Sequence, residues 1–364
     1  MIPFISFNYK KEEIKEKILV SISNILDSEE YVLGPNTVEF ERKFAQLLGS
    51  KSSVGVSNGL DALIISLKSL NIGPGDEVIV PTNTYIASWL SISSVGAKIV
   101  PVEPDIKTYN LDPDLIVQKI TSKTKAIMPV HLYGQPCDMT KIIEIAKTYN
   151  LYVIEDNAQA HMAKWKNKYT GTFGDINATS FYPTKNIGAV GEAGAITTDE
   201  IQLADFAKKY RNYGSTKKYY NEIKGVNCRI DEIQSAILNV KLEYIEEMTN
   251  ERIKTANKYN ALLDKKNIIL PFKNPNCTHV YHLFVIRTKK RDDLKSYLEK
   301  NKILTAIHYP IIPQNQNAYL NQDFNESPIA KELADTSLSL PIFPGIDDGQ
   351  IDRITSTIND FFKK

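Results

Sequence analysis

Lys185 is the residue whose surroundings point most clearly to chemistry. It stands in SFYPTKNIGAVGEAG, residues 180–194, after a segment typical of a buried strand and before Gly188, Gly191 and Gly194. Backbone packed closely around an amine lowers its pKa and makes the neutral amine a nucleophile. The alternative is an ordinary solvated loop lysine, and this stretch alone leaves both interpretations open.

A pair of acids follows a second apolar stretch. LYVIED predicts a buried strand that ends in Glu155 and Asp156. A carboxylate at such an exit can hold a metal, pair with a protonated ring nitrogen, or cap a following helix. The pattern also occurs in the acidic strand of P-loop ATPases, but the chain contains no G-x-x-x-x-G-K-[ST] loop to accompany it.

Two further segments could receive anions. In SNGL, residues 57–60, Gly59 opens a predicted helix whose free N–H groups could hold a phosphate, although such turns often do no more than begin a helix. GVNCR, residues 225–229, follows the basic loop RNYGSTKKYYNEIK. That loop is either a solvated charged face or, through Tyr213, Tyr219 and Tyr220, the path of an anionic substrate.

These features together describe one kind of cofactor site. A nucleophilic lysine, a carboxylate at a strand exit and a phosphate seat are the protein groups that pyridoxal 5'-phosphate requires. Lys185 would bond to the cofactor, a carboxylate would keep its ring nitrogen protonated, and the helix N-terminus would hold its phosphate. We therefore predict a pyridoxal phosphate site that uses no metal.

The elements that would position these residues alternate along the first two thirds of the chain. Strand patterns such as AKIVPVEP, KAIMPV and ATSFY are interleaved with helix patterns such as DMTKIIEIAKTYN. This alternation predicts an α/β fold with a mostly parallel sheet and helices on both faces. Ligands of such sheets bind beyond the carboxyl ends of the strands. After Tyr244 the pattern changes, so we predict a large domain over residues 1–245 and a small α+β domain over residues 246–364, with NCTHVYHLFVIRT as a strand of a second sheet.

Composition excludes several functional classes. The 44 basic and 43 acidic residues give a net charge of +1, which offers no bulk attraction to nucleic acid or to an anionic membrane. No apolar run is long enough for a membrane span, and the N-terminus does not resemble a signal peptide. Cys137, Cys228 and Cys277 are few and widely spaced, which favours a reducing cytoplasm.

The chain resembles the pyridoxal-phosphate-dependent sugar aminotransferases of the DegT/DnrJ/EryC1/StrS family. The resemblance runs almost from end to end, and VIEDNAQAH and SFYPTKN are its most specific segments. It implies the three-layer α/β/α fold type I of aspartate aminotransferase-like enzymes, with the small C-terminal domain. Two departures stand out: Asn157 replaces the common cysteine or alanine, and Met162 stands where glycine is usual.

The resemblance assigns roles residue by residue. Lys185 would be the Schiff-base lysine, Asp156 the partner of the pyridine nitrogen, Gln159 a contact of the ring hydroxyl, and Tyr85 the ring that stacks on the cofactor. Gly59, Leu60 and Ser180 would hold the phosphate with Asn58 close by, and Asn227 would reach the same phosphate from the partner of an obligate homodimer. Relatives with histidine in place of the lysine are dehydratases or deoxygenases, so Lys185 favours transamination.

The implied reaction moves the amino group of L-glutamate to a nucleotide-linked keto-sugar. SNGLDAL, TNTYIASW and SFYPTKNIGAVGEAG are most similar to the branch that acts at C3 of dTDP-3-keto-6-deoxyhexoses. We expect the substrate to meet a set of cationic and hydroxyl-bearing residues: Tyr182, Lys217, Lys218, His308 and Tyr309. His308 could instead pack within the small domain. The alternatives are a 4-keto-sugar or scyllo-inosose aminotransferase, and a non-catalytic protein that senses the cofactor or the nucleotide sugar.

Overall fold

The computed structural model describes residues 1–363. Its α-helices, in chain order, are α1 Lys11–Ser28, α2 Pro35–Leu48, α3 Gly59–Ser69, α4 Ile86–Ser94, α5 Met139–Tyr149, α6 Ile201–Tyr210, α7 Glu232–Leu242, α8 Ile245–Leu262, α9 Arg291–Lys300, α10 Pro328–Thr336 and α11 Asp348–Phe361.

The strands of the central sheet are β1 Ser52–Val56, β2 Glu77–Pro81, β3 Lys98–Val102, β4 Thr124–Ile127, β5 Tyr152–Asp156, β8 Ile176–Ser180 and β9 Gly194–Thr198. The shorter strands are β6 Lys164–Trp165, β7 Lys168–Tyr169, β10 Ser215–Lys217, β11 Tyr220–Asn221, β12 Cys277–Thr278, β13 Phe284–Arg287 and β14 Ser337–Leu340.

The seven central strands have the order β1-β9-β8-β5-β4-β2-β3. Strands β3, β2, β4, β5 and β8 are parallel to one another. Only β9 runs against its neighbours β8 and β1. The carboxyl ends of β1, β2, β5 and β8 therefore lie on one edge of the sheet, which is the edge where ligands of such folds bind. The mostly parallel sheet with helices on both faces confirms the predicted fold class.

The strands send alternate side chains to two different helical layers. Val78, Val80 and Ile154 pack in a core with residues of α3, α4 and α6. Ile79 and Val153, one position along, pack with residues of α5 on the opposite face. Period-two alternation of buried apolar side chains is the reason the sheet carries helices on both sides.

A separate apolar core lies in the C-terminal part of the chain. It contains residues of α8, α9 and α11 around β13 and β14, together with Ile2 from the N-terminus. The predicted boundary after residue 245 falls at the start of α8, which begins at Ile245, and the division into two domains stays a prediction.

The single strand predicted for NCTHVYHLFVIRT is wrong. β12, Cys277–Thr278, pairs with β6 in a three-stranded sheet with β7. Only β13, Phe284–Arg287, pairs with β14 in a second sheet. The break contains Tyr281, whose φ of 46° is left-handed and incompatible with a continuous strand. An apolar run does not reveal such a break, because side-chain type does not determine a local reversal of φ.

Candidate active site

Four strand exits bring the predicted cofactor residues to one edge of the sheet. Asn58 and Gly59 follow β1, Tyr85 follows β2, Asp156 ends β5, and Ser180 ends β8. Lys185 comes five residues after Ser180, in the turn beyond β8. Parallel alignment of these strands places residues from four distant segments at the same end of the molecule.

The turn after β1 packs closely against Ser180, and this arrangement, the Gly59–Ser180 seat, could receive an anion. A Cβ added to Gly59 would lie 2.5 Å from the Ser180 Cβ, so only glycine fits at this position. Asn58 caps α3 by accepting a hydrogen bond from the Asp61 amide over 2.8 Å. The amides of Gly59 and Leu60 precede the first intrahelical hydrogen bonds and remain available to a phosphate.

Asp156 is buried and held in one orientation. Its Oδ2 accepts a hydrogen bond from the Ser88 hydroxyl over 2.8 Å, and its Oδ1 accepts one from the Ala158 amide over 3.2 Å. Ser88 is fully buried in α4 and contacts the Thr84 hydroxyl over 2.9 Å. No helix follows Asp156, since residues 157–163 form turns, so helix capping is not its role.

Glu155, by contrast, faces the opposite layer. It accepts hydrogen bonds from His131 Nε2 over 2.7 Å and from three backbone amides, those of Gly171, Phe173 and Gly174. Burial would raise its pKa, but these donors outweigh burial and hold the pKa below its usual value. Glu155 therefore anchors the loop before β8. Only Asp156 remains available for a ligand, because neighbouring residues of a strand point to opposite faces.

Lys185 has the properties of a reactive amine. Burial lowers its pKa from 10.5 to about 8, and the opposing effect of the Asp156 charge is smaller. The glycines that follow it pack closely, as predicted: a Cβ at Gly188 would lie 2.4 Å from the Pro183 carbonyl oxygen, and one at Gly194 would lie 2.3 Å from that of Asn58. The turn can therefore enclose the amine with backbone alone.

Gln159 connects the edge of the central sheet where β5 ends to the C-terminal part of the chain. Its Oε1 accepts the Tyr133 amide over 2.7 Å, and its Nε2 donates to the Tyr309 hydroxyl over 2.9 Å. The Tyr309 ring in turn packs on Tyr85, with centroids 5.3 Å apart. The structure thus joins three of the predicted residues, Gln159, Tyr85 and Tyr309, in one contiguous group.

The remaining substrate residues are less closely gathered. The His308 ring stacks on Phe4, and its Nδ1 lies 2.8 Å from the Ser339 hydroxyl, so at least part of this side chain packs locally. Tyr182 is exposed beside Lys185. Lys217 and Lys218 lie on the β10–β11 hairpin, where each ammonium covers a tyrosine ring of the same hairpin.

Asn227 is not joined to the other cofactor residues within one chain. It is exposed, its Nδ2 donates to the Tyr213 hydroxyl over 2.9 Å, and it forms a bridge with Asn212. This location neither supplies nor prevents a contact with the phosphate seat of a second subunit.

Sequence reasoning missed Ser88 and Tyr133. Ser88 lies in the first turn of α4, three residues after Tyr85, which precedes that helix, and this closeness in sequence was a usable signal. Tyr133 donates its backbone amide to Gln159, so the type of its side chain could not have predicted this contact.

The donor set fits pyridoxal phosphate. The Gly59–Ser180 seat suits a phosphate, the oriented Asp156 carboxylate suits a protonated ring nitrogen, and the buried Lys185 amine suits an aldehyde. When bound, this cofactor bonds amines through its aldehyde and takes up electrons released at the neighbouring carbon. Fold and site together define a pyridoxal-phosphate-dependent aminotransferase of fold type I.

The chain belongs to the DegT/DnrJ/EryC1/StrS aminotransferase family, whose model matches residues 12–359. It is 48% identical to the dTDP-3-amino-3,6-dideoxy-alpha-D-galactopyranose transaminase of Aneurinibacillus thermoaerophilus, over 99% of both chains. Its structure is similar to that of Streptomyces venezuelae DesV in complex with a ketimine intermediate, with a TM-score of 0.97, 40% identity and coverage of 100% and 99% of the chains. It is also similar to Bacillus subtilis NtdA with bound cofactor PMP, with a TM-score of 0.92, 30% identity and coverage of 99% and 83%.

Among residues 1–363, no group of three or more His, Cys, Asp or Glu side chains could hold a metal ion. None of the helices in that range combines the length and the apolar character that crossing a bilayer requires.

Proposed function

We propose that this aminotransferase moves the amino group of L-glutamate to C3 of a dTDP-3-keto-6-deoxyhexose and forms a dTDP-3-amino-3,6-dideoxyhexose. The observation that carries the proposal is the group formed by Lys185, Asp156 and the Gly59–Ser180 seat at one sheet edge. The choice of sugar rests on the relative that is 48% identical over almost the full chain and is named for a 3-amino-3,6-dideoxy sugar. We propose that the product serves the biosynthesis of a cell-surface polysaccharide such as lipopolysaccharide, or of an antibiotic.

The protein's own groups have separate tasks in this reaction. Lys185 would act as the general acid and base that moves a proton to and from the substrate carbon. A pKa of about 8 suits this proton transfer near neutral pH. Asp156, fixed by Ser88, would pair with the protonated ring nitrogen of the bound cofactor.

The substrate side of the site consists of residues on the opening edge. Tyr309, held by Gln159 over 2.9 Å, would contact the sugar together with Tyr182. Lys217 and Lys218 would meet the diphosphate, since exposed ammonium groups are suited to phosphate oxygens. The packing of His308 against Phe4 and Ser339 makes its backbone and ring a wall of the site.

The active enzyme is proposed to be a homodimer whose subunits share their sites, with Asn227 reaching the partner's phosphate seat. Exposed apolar residues of the N-terminal third offer a surface for such pairing: Leu19, Val20, Leu26, Tyr31, Val32 and Val38. Mixing an inactive Lys185→Ala chain with an inactive Asn227→Ala chain tests this. Shared sites restore about a quarter of wild-type activity in the mixed population, because each mixed dimer then contains one intact site. If each site is instead formed by one chain alone, the mixed population regains no activity.

The substrate assignment is tested by supplying the enzyme with glutamate and either a dTDP-3-keto or a dTDP-4-keto-6-deoxyhexose. Product identity by mass spectrometry and NMR separates amination at C3 from amination at C4. Lys185→Ala is expected to abolish turnover and the yellow colour of the loaded protein. Turnover by that variant would overturn the assignment of Lys185.

We also propose a reducing, cytoplasmic location. Cys137, Cys228 and Cys277 are free thiols, and two of them are buried. Burial raises the pKa of the Cys277 thiol to about 11 and keeps it unreactive.

A further inference from the structure

A cavity of about 420 Å³ lies beside the Lys185 turn, between the N-terminal segment and helices α7 and α8. Residues 185–191 form one wall, and Ile5, Phe7 and Ile14 form another. Its lining includes Lys185 but not Asp156 or Ser180, so the cavity adjoins the candidate active site at the reactive amine. The volume is that of a pocket for a small organic ligand.

The charges that line this cavity all have the same sign. Besides Lys185, which would be bonded to the cofactor, four basic side chains line it: Lys11, Lys15, Lys241 and Arg252. No aspartate or glutamate among residues 1–363 lines it. In a chain whose net charge is only +1, this is a local concentration of positive charge, and it favours an anion.

Arg252 supplies the most specific feature. It is 3% exposed, and its Nη1 donates to the carbonyls of Ile342 over 2.9 Å and His282 over 3.3 Å. Its Nε is buried and makes no hydrogen bond, and among residues 1–363 no acidic partner acts on the guanidinium. A buried charge without a counter-ion costs free energy, which an anion in the cavity would offset.

Lys241, on α7, resembles Arg252, because its charged group bonds a backbone carbonyl and lies at the cavity. Its ammonium donates to the Gly188 carbonyl of the Lys185 turn and has no carboxylate partner in the described part of the chain. Burial lowers its pKa, as it lowers that of Arg252 to about 10. An oxyanion beside both groups would favour their charged forms.

We infer that this cavity is a binding site for an organic oxyanion, a carboxylate or a phosphate ester, whose apolar part packs against Ile5, Phe7 and Ile14. The inference depends on the proposed function only in the choice of ligands. Glutamate and 2-oxoglutarate carry carboxylates, and the nucleotide sugar carries a diphosphate. Since the Lys185 turn is one wall of the cavity, a bound anion would also stabilise the backbone that carries the reactive amine.

Calorimetric titration of the full-length, cofactor-loaded protein with 2-oxoglutarate, dTDP and inorganic phosphate tests the inference. Lys241→Met removes one cation, and Lys147→Met, at an exposed position of α5, is the control. At least one probe should bind wild type and Lys147→Met equally, and bind Lys241→Met about tenfold or more weakly. The probe that is weakened identifies the source of the oxyanion.

Two results would overturn the inference: no binding of any probe to wild type, or binding to Lys241→Met within about threefold of wild type for every probe. Arg252→Gln is a second variant, but it also loses the bonds of Arg252 to backbone carbonyls. If Arg252→Gln does not fold, the double variant Lys11→Met/Lys15→Met replaces it. If the cavity does not bind an oxyanion, wild type still transfers the amino group. If the proposed function is wrong, wild type forms no amino-sugar product.

Discussion

The Ser88 hydroxyl donates a hydrogen bond to Asp156 Oδ2 over 2.8 Å, and the two residues are 68 positions apart in sequence. Both side chains are buried. This contact fixes the orientation of the carboxylate that we propose faces the cofactor ring, and on that proposal Ser88 is a positioning residue.

Ser88→Ala is expected to lower kcat roughly tenfold, because a hydrogen bond to a charged group contributes about 1.5–3 kcal/mol and part of it orients Asp156. The absorbance of the bound cofactor should also change, which a merely structural defect would not cause. Ser94→Ala, at an exposed position of the same helix, should behave as wild type. An unaltered spectrum and rate in Ser88→Ala would contradict the positioning role.

Gly59→Ala should weaken cofactor binding by about tenfold or more, because its Cβ would lie 2.5 Å from that of Ser180. Gly73→Ala is the matched control, since its Cβ would meet only the Val95 carbonyl oxygen at 3.5 Å. Adding Ser180→Gly to Gly59→Ala should recover part of the affinity by restoring space. Fluorescence titration of the apoprotein measures all three, and equal affinity in Gly59→Ala and wild type would refute the close fit.

Capture of the cofactor by apoprotein should accelerate as pH rises through about 8, since the neutral Lys185 amine is the nucleophile and its pKa lies near 8. Asp156 raises that pKa, because its negative charge favours the protonated amine. Asp156→Asn should therefore shift the midpoint to lower pH. Stopped-flow absorbance gives both profiles, and a midpoint near 10.5 in wild type would show that Lys185 is solvated.

His161 should make the apoprotein sensitive to acid. Burial lowers its pKa to about 3, so between about pH 6.5 and 3 the unfolded chain binds a proton that the folded chain does not. Stability from this group is thus complete above pH 6.5 and is lost as pH falls, by about 2 kcal/mol at pH 5. His161→Phe should show a smaller difference between urea unfolding at pH 7 and pH 5. An identical difference would disprove the contribution.

Lys218→Ala and His308→Ala should raise KM for the nucleotide sugar while sparing glutamate, if the basic hairpin and the wall at His308 contact the nucleotide. The exposed Lys218, above the Tyr219 ring, has no other evident function. Lys147→Ala serves as a distant control. Steady-state kinetics with each substrate varied separately makes the comparison, and unchanged KM values in both variants would exclude this substrate path.

Much of the fold followed from local pattern. The strands predicted for AKIVPVEP and KAIMPV are present as β3 and β4, and the helices predicted for DMTKIIEIAKTYN and after Gly59 are present as α5 and α3. Apolar alternation and turn glycines specify such elements locally. The region 277–287 was predicted as one strand, but Tyr281 reverses the backbone, and there the chain lies against Gly134, 147 residues earlier in sequence.

The sequence by itself determined the order of elements, the enclosed Lys185 and the pair of acids at the end of β5, because spacing and residue type are sufficient for these. Tertiary structure decided that Asp156 faces the site while Glu155 anchors a loop, since that depends on which helical layer covers each face of the sheet. It also decided the contacts of Ser88 with Asp156, of Gln159 with Tyr309, and of Arg252 with the cavity. These pairs come from segments far apart in sequence, and only the register of strands and the packing of helices brings them together.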